Sequence, residues 1–186
     1  VDLDIEHLTV PPTAEEIQWL SDVTNTVYKI SQEEQHPLQI SHAPQAPYFS
    51  ANGGYSEVEK GTNGVVDYYN IQYYNQGDWA YQSYEDYASI FETSYDSFSN
   101  DTAIPSITTQ GIPPRKLIVG KPITEQDATN TGYIPINKLS EIINQAIGNQ
   151  IPFGGVMGWK IDSDIDGIWG KTMKEVVQRS ELKVTS

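Results

Sequence analysis

Strand-like and helical segments alternate along the whole chain, and this alternation constrains the fold more than any other feature. Five segments have the length and apolar pattern of strands, at 1–6, 38–40, 65–74, 116–119 and 155–159. Helical periodicity predicts four helices, from Thr13 to about Ile30 and at 84–98, 136–147 and 170–179. The Gly-rich segment 51–63 is expected to form a loop with at most a short helix. The pattern predicts a parallel sheet covered by helices.

The 186 residues contain no repeat, low-complexity tract or linker, so residues 1–186 are expected to form one structural unit. Five parallel strands could build an open doubly wound sheet, but no Gly-rich phosphate loop follows any of them. A complete eight-stranded barrel takes about 250 residues. We therefore expect an α/β fold of the (β/α)8 TIM-barrel type, in which this chain supplies about strands 4–8 and their helices.

The chain opens directly on a strand pattern, without an initiator Met, a basic segment or an apolar leader before it. A natural domain rarely begins within its own strand. We therefore expect that Val1 is not the natural N-terminus. In this interpretation an upstream segment or a second chain pairs with residues 1–6 and completes the barrel, which removes the free sheet edge.

Charge excludes two classes of partner. The chain carries 25 Asp and Glu against 11 Lys and Arg, a net charge of -14, which repels nucleic acid and anionic membranes. No segment approaches the ~20 apolar residues that a membrane span needs. A neutral polysaccharide would not be repelled. Among the 12 Tyr and 4 Trp are candidates for stacking on sugar faces, although most of them are expected in the core.

The sequence offers no good metal site. Cysteine is absent, which excludes disulfides, thiolate nucleophiles and Cys-based zinc sites, and which fits a secreted protein as well as a cytoplasmic one. The three His residues are scattered, without the spacing of metal ligands. The segment Asp162–Gly167 matches the first half of a calcium loop, but Met173 stands where a bidentate Glu is required. We expect neither a metal nor a cofactor.

The N-terminal strand carries the strongest chemical signal. Asp2, Asp4 and Glu6 occupy alternate positions, so their side chains project from one face of a strand. Three neighbouring carboxylates repel one another, and at least one is expected to hold a proton near neutral pH. A general acid for a glycosidic oxygen needs such a proton, and Glu6 lies at the C-terminal end of the strand, where barrel enzymes act. Taken alone, these residues are explained equally well by an exposed acidic edge strand.

Four sequence motifs, in the correct order, resemble those of family 18 glycoside hydrolases of the chitinase type. Val1–Glu6 resembles the tail of the family's Asp-Gly-x-Asp-x-Asp-x-Glu motif, with its first two residues missing. Ser41–Tyr48 resembles the Ala-Pro-Gln loop after the fifth strand, and Tyr69–Asn75 resembles the sixth strand. Lys116–Pro122, followed by Gly154–Trp159, resembles strands seven and eight. The resemblance covers nearly the whole chain, from the catalytic fourth strand onward.

The resemblance implies catalytic roles for four residues. Glu6 would protonate the leaving oxygen and later act as base. Asp4 would orient the substrate's 2-acetamido group and stabilise its developing positive charge, while Asp2 would hold Asp4 and tune its proton. Tyr74 would donate to the acetamido carbonyl, which attacks the anomeric carbon in place of an enzyme nucleophile. Tyr73 and Tyr74 alternate faces, so Tyr73 is expected in the core.

The resemblance also assigns side chains to substrate binding, namely Gln45, Gln72, Asn75, Met157 and Trp159. Trp159 would form the apolar floor beneath the sugar being cleaved, and the two amides of the sixth-strand segment would line the same pocket. Tyr48, together with Trp79 and Tyr81 in other loops, is expected to extend the sugar groove.

These assignments predict a secreted chitinase that degrades chitin. It would cleave β-1,4 bonds between N-acetylglucosamine units, inside the polymer and with retention, through an oxazolinium-type intermediate. Its partners would be chitin or chitooligosaccharides. One alternative is an endo-β-N-acetylglucosaminidase acting on N-glycans, which shares the acid and acetamido chemistry. Another is a non-catalytic, chitin-binding lectin-like subunit; lectin-like relatives lose the acid, so the presence of Glu6 favours an enzyme.

Overall fold

The centre of the molecule is a five-stranded sheet in which all neighbouring strands are parallel and the spatial order follows the chain. The computed structural model describes residues 1–34, 37–49, 54–76, 83–93 and 102–184. The strands are β1 (Asp2–Leu3), β2 (Ser41–His42), β3 (Tyr68–Gln72), β4 (Leu117–Pro122) and β5 (Gly155–Trp159). The predicted α/β arrangement with five parallel strands is confirmed.

Helices cover the outer side of the sheet. Those described are α1 (Ala14–Glu33), α2 (Tyr55–Gly61), α3 (Tyr87–Phe91), α4 (Ile104–Thr109), α5 (Ile136–Gly148) and α6 (Ile168–Val184). The short helix expected in segment 51–63 is α2. The prediction missed α4, because six residues are too few to show a helical period. The helix predicted at 84–98 corresponds to α3, and residues 94–98 lie outside the described residues. Within the described ranges, no helix has the length and apolar character to cross a membrane.

The first two strands differ from the prediction in extent and in place. β1 is limited to Asp2–Leu3 within the predicted range 1–6, and β2 lies at Ser41–His42 instead of 38–40. The second strand was predicted in the wrong place because the prediction relied on the apolar residues of segment 38–40. The ladders to both neighbouring strands begin instead at a polar residue, Ser41.

The capping box that the sequence predicts begins α1. Thr13 Oγ1 accepts from the Glu16 N–H at 3.2 Å, and a Glu16 carboxylate oxygen accepts from the Thr13 N–H at 2.7 Å. Further along the helix, Leu20 and Thr24 are buried, and Thr24 Oγ1 lies 3.1 Å from His42 Nε2. The cap determines where α1 begins, and the buried side chains of Leu20 and Thr24 pack the helix behind β2.

The two faces of β3 have different environments. Tyr69, Ile71 and Tyr73 are fully buried in the layer between the sheet and the helices. Asn70 and Gln72 alternate with them and therefore point to the opposite face of the sheet, here called the inner face. Tyr73 lies in the core, as predicted.

A buried ion pair lies at the N-terminal end of the sheet. Lys116, directly before β4, donates to Glu59 Oε1 at 2.6 Å and to the Gly64 carbonyl oxygen at 2.9 Å. The other carboxylate oxygen of Glu59 accepts from the Tyr69 hydroxyl at 2.7 Å. Both charged groups are hydrogen-bonded, which offsets the cost of burying them.

Candidate active site

Polar side chains from three neighbouring strands meet on the inner face. Asp2 is paired in register with Ser41 of β2, and β3 lies on the other side of β2. Asp2 Oδ1 accepts from the Ser41 hydroxyl at 2.5 Å and from Asn70 Nδ2 at 3.4 Å. The Asp2 carboxylate is thus tied to both strands. The sequence prediction gave no role to Ser41 or Asn70, although the two-residue period of β3 places Asn70 on the same face as Gln72.

Gln72 connects the two other carboxylates of the N-terminal segment. Its Nε2 lies 3.1 Å from Asp4 Oδ1, 3.0 Å from Glu6 Oε1 and 2.8 Å from the Ala43 carbonyl oxygen. The side chain is 6% exposed, so the amide is confined to one place. An amide nitrogen has two N–H groups, which are shared here among three acceptors. Gln72 therefore holds Asp4 and Glu6 side by side.

The Asp4 carboxyl holds its proton more strongly than an ordinary Asp. Partial burial raises its pKa to about 6, and the charges of Glu6 and then Asp2 act in the same direction, while the hydrogen bond from Gln72 lowers it. A proton therefore stays on one of the three crowded carboxyls into the near-neutral range, as the sequence led us to expect. A hydrogen bond between the Asp4 and Glu6 side chains also raises the pKa of Asp4, so the two carboxyls are in direct contact.

Tyr74 brings a phenol to the same face. Its side chain is 3% exposed, and burial followed by the charges of Asp4, Glu6 and Asp2 raises the pKa of its hydroxyl. The two-residue period of β3 directs Tyr74 to the face opposite Tyr73, and the charges of all three carboxylates act on its hydroxyl. A phenol with a raised pKa stays protonated near neutral pH, so it remains a hydrogen-bond donor.

Tyr48 does not extend an open groove, because its ring is buried to 1% exposure. Its hydroxyl donates to the Glu6 carbonyl oxygen at 2.7 Å and accepts from the Leu8 N–H at 3.2 Å. Tyr48 thus holds the backbone that carries the Glu6 side chain, which corrects the expected surface contact with sugar. A loop position in the sequence does not reveal how the loop packs. The other loop aromatics, Trp79 and Tyr81, lie outside the described residues.

Two residues predicted to line the sugar pocket are engaged by the protein's own backbone. Asn75 Oδ1 accepts from the N–H groups of Thr129 and Asn130 at 2.6 and 3.3 Å. Gln45 pairs through its backbone with Gln72 in an isolated parallel bridge. Asn75 therefore holds the loop that follows β4. Gln45 continues the pairing with β3 beyond the end of β2. A role in sugar binding stays a prediction for both residues.

Two large side chains of β5 share the inner face. Met157 pairs in register with Gly120 of β4, and Trp159 with Pro122. A Cβ atom on Gly120 would lie 2.8 Å from Met157 Cε, so the glycine leaves room for Met157. Trp159 ends the strand with 44% of its surface exposed, which leaves an apolar face open. The Trp159–Lys160 peptide bond is cis. Contact of these side chains with a sugar stays a prediction.

The acidic segment after β5 caps a helix. Asp164 Oδ1 accepts from the Trp169 N–H at 2.7 Å, and Oδ2 accepts from the Gly170 N–H at 3.0 Å. These N–H groups belong to the first turn of α6, where backbone donors lack partners within the helix. In the part of the chain that the structure describes, no group of three His, Asp or Glu side chains is arranged to hold a metal ion.

Comparison with known proteins gives matches among solved structures only; no family model and no curated protein matches the chain. A GH18 chitinase from Pseudoalteromonas aurantia is 25% identical with a TM-score of 0.61, over 94% of this chain and 60% of that one. A fungal endo-β-N-acetylglucosaminidase from glycosyl hydrolase family 18 is 17% identical with a TM-score of 0.57, over 95% and 56%. A mutant GH18 chitinase from Cycas revoluta, in complex with (GlcNAc)4, is 16% identical with a TM-score of 0.65, over 94% and 67%.

These matches show that the chain resembles family 18 glycoside hydrolases over about 94% of its length, as the sequence motifs predicted. They imply the TIM-barrel fold, of which the five parallel strands form a part. The chain spans 60% of the Pseudoalteromonas aurantia chitinase and 56% of the fungal enzyme. The similarity accounts for the parallel sheet, and any activity depends on the side chains on its inner face.

Proposed function

We propose that this chain carries the catalytic centre of a chitinase-like glycoside hydrolase that cleaves β-1,4 bonds between N-acetylglucosamine units with retention. The proposal rests on the contacts of Gln72 with Asp4 and Glu6, at 3.1 and 3.0 Å, together with the Tyr74 phenol on the same face. In this proposal Glu6 is the general acid and base, while Asp4, Asp2 and Tyr74 act on the substrate's acetamido group. This chemistry requires no cofactor.

The first step breaks the glycosidic bond. Glu6 donates its proton to the glycosidic oxygen while the acetamido carbonyl oxygen of the same sugar attacks the anomeric carbon. The leaving sugar departs with that proton as a hydroxyl group, and an oxazolinium ring forms. Asp4, once it has passed its proton to Glu6, accepts the acetamido N–H and compensates the positive charge of the ring. The Tyr74 hydroxyl donates to the attacking carbonyl oxygen and holds it in line.

The second step replaces the leaving sugar with water. Glu6, now a carboxylate, takes a proton from the water molecule as its oxygen attacks the anomeric carbon. The bond from that carbon to the acetamido oxygen breaks, the ring opens, and the acetamido group is restored. Each step inverts the anomeric carbon once, so the net result is retention and the first product is the β-anomer.

A neutral polysaccharide suits both the charge and the aromatic surface of the chain. A net charge of -14 does not repel an uncharged polymer of N-acetylglucosamine. The exposed face of Trp159, with Met157 on the same face of β5, supports stacking beneath a sugar ring. The Cycas revoluta chitinases were solved with (GlcNAc)3 and (GlcNAc)4, which supports a chitooligosaccharide as the substrate here. Because chitin is an insoluble polymer outside the cell, we propose that the protein is secreted.

We also propose that residues 1–186 form the C-terminal part of one barrel domain and supply about strands 4–8. Among the described strands, β1 and β5 are the two ends of the sheet. Large apolar side chains are exposed near both ends, including Trp19 on α1 and Ile161 after β5. An upstream segment or a second chain that supplies the other strands would pair with both edges and cover these side chains.

The second candidate is an endo-β-N-acetylglucosaminidase, because one structure that the chain resembles has this activity. It would use the same acid and acetamido chemistry and would differ only in the sugar chain it accepts. A lectin-like subunit without turnover is less consistent with the site, because Glu6 is present and Gln72 holds it beside Asp4.

The anomeric form of the first product tests the proposed mechanism. The protein carrying this chain is given a chitin oligomer and, separately, a high-mannose glycopeptide, and the initial product is followed by proton NMR. We expect the β-anomer from the oligomer, and tight inhibition by a thiazoline analogue of N-acetylglucosamine, because the analogue mimics the cyclic intermediate. Initial α-anomer would exclude the substrate-assisted mechanism. Cleavage of the glycopeptide alone would favour the second candidate.

A further inference from the structure

Lys121 is a fully buried lysine behind the inner face. It lies in β4 and points to the helix side of the sheet, next to Gly120, and its exposure is 0%. Its Nζ donates to the carbonyl oxygens of Tyr73 and Tyr84 at 2.6 and 2.7 Å. The proposed chemistry does not use this amine, and burying a lysine is costly. Its position therefore requires a separate explanation.

The Tyr73 carbonyl belongs to the peptide unit that leads into Tyr74. The Tyr73 N–H donates to the Gly120 carbonyl oxygen at 3.2 Å, so β4 binds Tyr73 at its N–H as well as at its carbonyl. Because a peptide unit is planar, fixing its carbonyl also fixes the direction in which the next Cα lies. The contact of Lys121 with the Tyr73 carbonyl thereby constrains the orientation of the Tyr74 side chain.

A loop holds Tyr74 from the other side. A Cβ atom on Gly132 would lie 2.4 Å from Tyr74 Cα, so this glycine lies directly against the Tyr74 backbone. The Gly132 N–H donates to Glu85 Oε1 at 3.0 Å, and Glu85 follows Tyr84 in the chain. These contacts close a ring around Tyr74, which we call the Tyr74 clamp, formed by Lys121, Tyr84, Glu85 and Gly132.

The clamp suits a neutral amine. Burial lowers the pKa of Lys121 to about 7, while the charge of Glu85 acts in the opposite direction. A neutral amine has two N–H groups, and two carbonyl oxygens accept from it. Within the described residues the Nζ has no third acceptor, so loss of the third proton breaks neither bond. An apolar side chain in its place would leave two buried carbonyl oxygens without a donor, which is costly.

We propose that Lys121 is a positioning residue for the reaction, which directs the Tyr74 hydroxyl toward the substrate's acetamido carbonyl by fixing the Tyr73 peptide. This inference rests on the proposed function of Tyr74. Lys121 acts through the backbone and touches no reacting group. A displacement of about 1 Å at a reacting group costs on the order of 10²-fold in rate, so a positioning contact of this kind is measurable.

Double-mutant kinetics separate positioning from stability. In the protein carrying this chain, Lys121→Met keeps an unbranched side chain that is one atom shorter and removes the N–H donors of the amine. We expect kcat on a chitin oligomer to fall on the order of 10²-fold, with KM changed by less than about threefold. Tyr74→Phe is expected to lower kcat to a similar extent. The double variant should lose little beyond Tyr74→Phe alone, because the clamp then has no hydroxyl to direct.

Lys116→Met is the matched control. It removes a buried lysine at the other end of the same strand, so it is expected to lower Tm and to leave kcat unchanged at temperatures where the protein is folded. If Lys121→Met does not fold, Glu85→Ala replaces it as the test of the clamp. Glu85 is exposed, and its removal breaks the contact with the Gly132 N–H. It should lower kcat less than Lys121→Met, and this loss should again disappear in the Tyr74→Phe background.

The outcomes distinguish the positioning role of Lys121 from the proposed function of Tyr74. An unchanged kcat in Lys121→Met, or two losses that multiply in full in the double variant, would overturn the positioning role. The same criteria apply to Glu85→Ala. A Tyr74→Phe variant with the kcat of the parent would refute the proposed function of Tyr74 itself.

Discussion

The two ends of β4 carry buried lysines in different surroundings. At the N-terminal end, Lys116 contacts the Glu59 carboxylate at 2.6 Å. At the C-terminal end, Lys121 contacts two carbonyl oxygens, and among the described residues no carboxylate lies within hydrogen-bond distance of it. The charge of Lys116 is compensated by a carboxylate, whereas Lys121 is bound by backbone carbonyl oxygens. This difference follows the barrel rule that residues at the N-terminal ends of strands serve stability and those at the C-terminal ends serve activity.

The carboxylates of the two ends show the same contrast. Glu59 is bound by a lysine and a tyrosine hydroxyl. Asp4 lies instead beside Glu6 and Asp2, with the amide of Gln72 as its hydrogen-bond donor, and its pKa is raised to about 6. Crowded like charges reduce stability, and they persist where a function requires them. The N-terminal end of the sheet therefore has the contacts of a stabilising ion pair, and the C-terminal end has the crowded carboxyls of the proposed active site.

The largest effect is expected at the C-terminal end. Glu6→Gln keeps the size of the side chain but removes the transferable proton, so kcat should fall on the order of 10²–10⁴-fold. Binding of chitin oligomers, measured by calorimetry, should persist because Trp159 is unchanged. Glu15→Gln, the same substitution on the exposed surface of α1, should leave kcat unchanged. Turnover within about tenfold of the parent would remove Glu6 from its assigned role.

The next effect is expected at the N-terminal end and concerns stability. Lys116→Met leaves Glu59 buried without its cation, so the free energy of unfolding should fall by about 3–5 kcal/mol in denaturant titrations. Adding Glu59→Gln removes the uncompensated charge and keeps an acceptor for Tyr69, so part of the loss should be recovered. If Lys116→Met lowered kcat of the folded protein as much as Lys121→Met, the contrast between the two ends would be wrong.

The smallest effect is expected from the pH dependence of stability. The pKa of Asp4 rises from its ordinary value of 3.8 to about 6 on folding, so the folded state binds this proton more tightly than the unfolded chain does. The resulting stabilisation is present below pH 3.8 and is lost as the pH rises through about 6. Asp4→Asn removes this dependence. The Tm of the variant minus the Tm of the parent should therefore be larger at about pH 7 than at about pH 4, while the turnover of the variant falls. The gain is small because the residue is solvent-accessible. A Tm difference that is equal at both pH values would contradict the raised pKa.

Features with a local signal were predictable from the sequence. The capping box depends on the three-residue spacing of Thr13 and Glu16, and the structure forms both of its bonds. The opposite orientation of Tyr73 and Tyr74 depends only on the two-residue period of a strand, and the structure buries Tyr73 in the helix layer. The place of β2 was wrong because apolar content indicates burial and does not indicate where a ladder of hydrogen bonds begins.

Features that depend on contacts between distant segments were not predictable. Tyr48 was expected on the surface, yet it packs beneath a segment 42 residues away and binds the Glu6 carbonyl. Lys121 has no sequence signal for its role, because its two acceptors are backbone carbonyls, which are present at every residue. The motif register identified Gln72, but the register did not show that one amide nitrogen contacts both Asp4 and Glu6.

The sequence by itself determined which residue types share a face: the acidic residues of the first strand, the amides of the third, and the large apolar side chains of the fifth. Only the tertiary structure decided which of their atoms meet, because Gln72 and Glu6 are 66 residues apart and Lys121 and Tyr73 are 48 apart. The physical reason is that a period fixes the direction of a side chain relative to its own backbone. A hydrogen bond depends on the distance between two backbones, which the strand register and the packing of the helices set for the sheet as a whole.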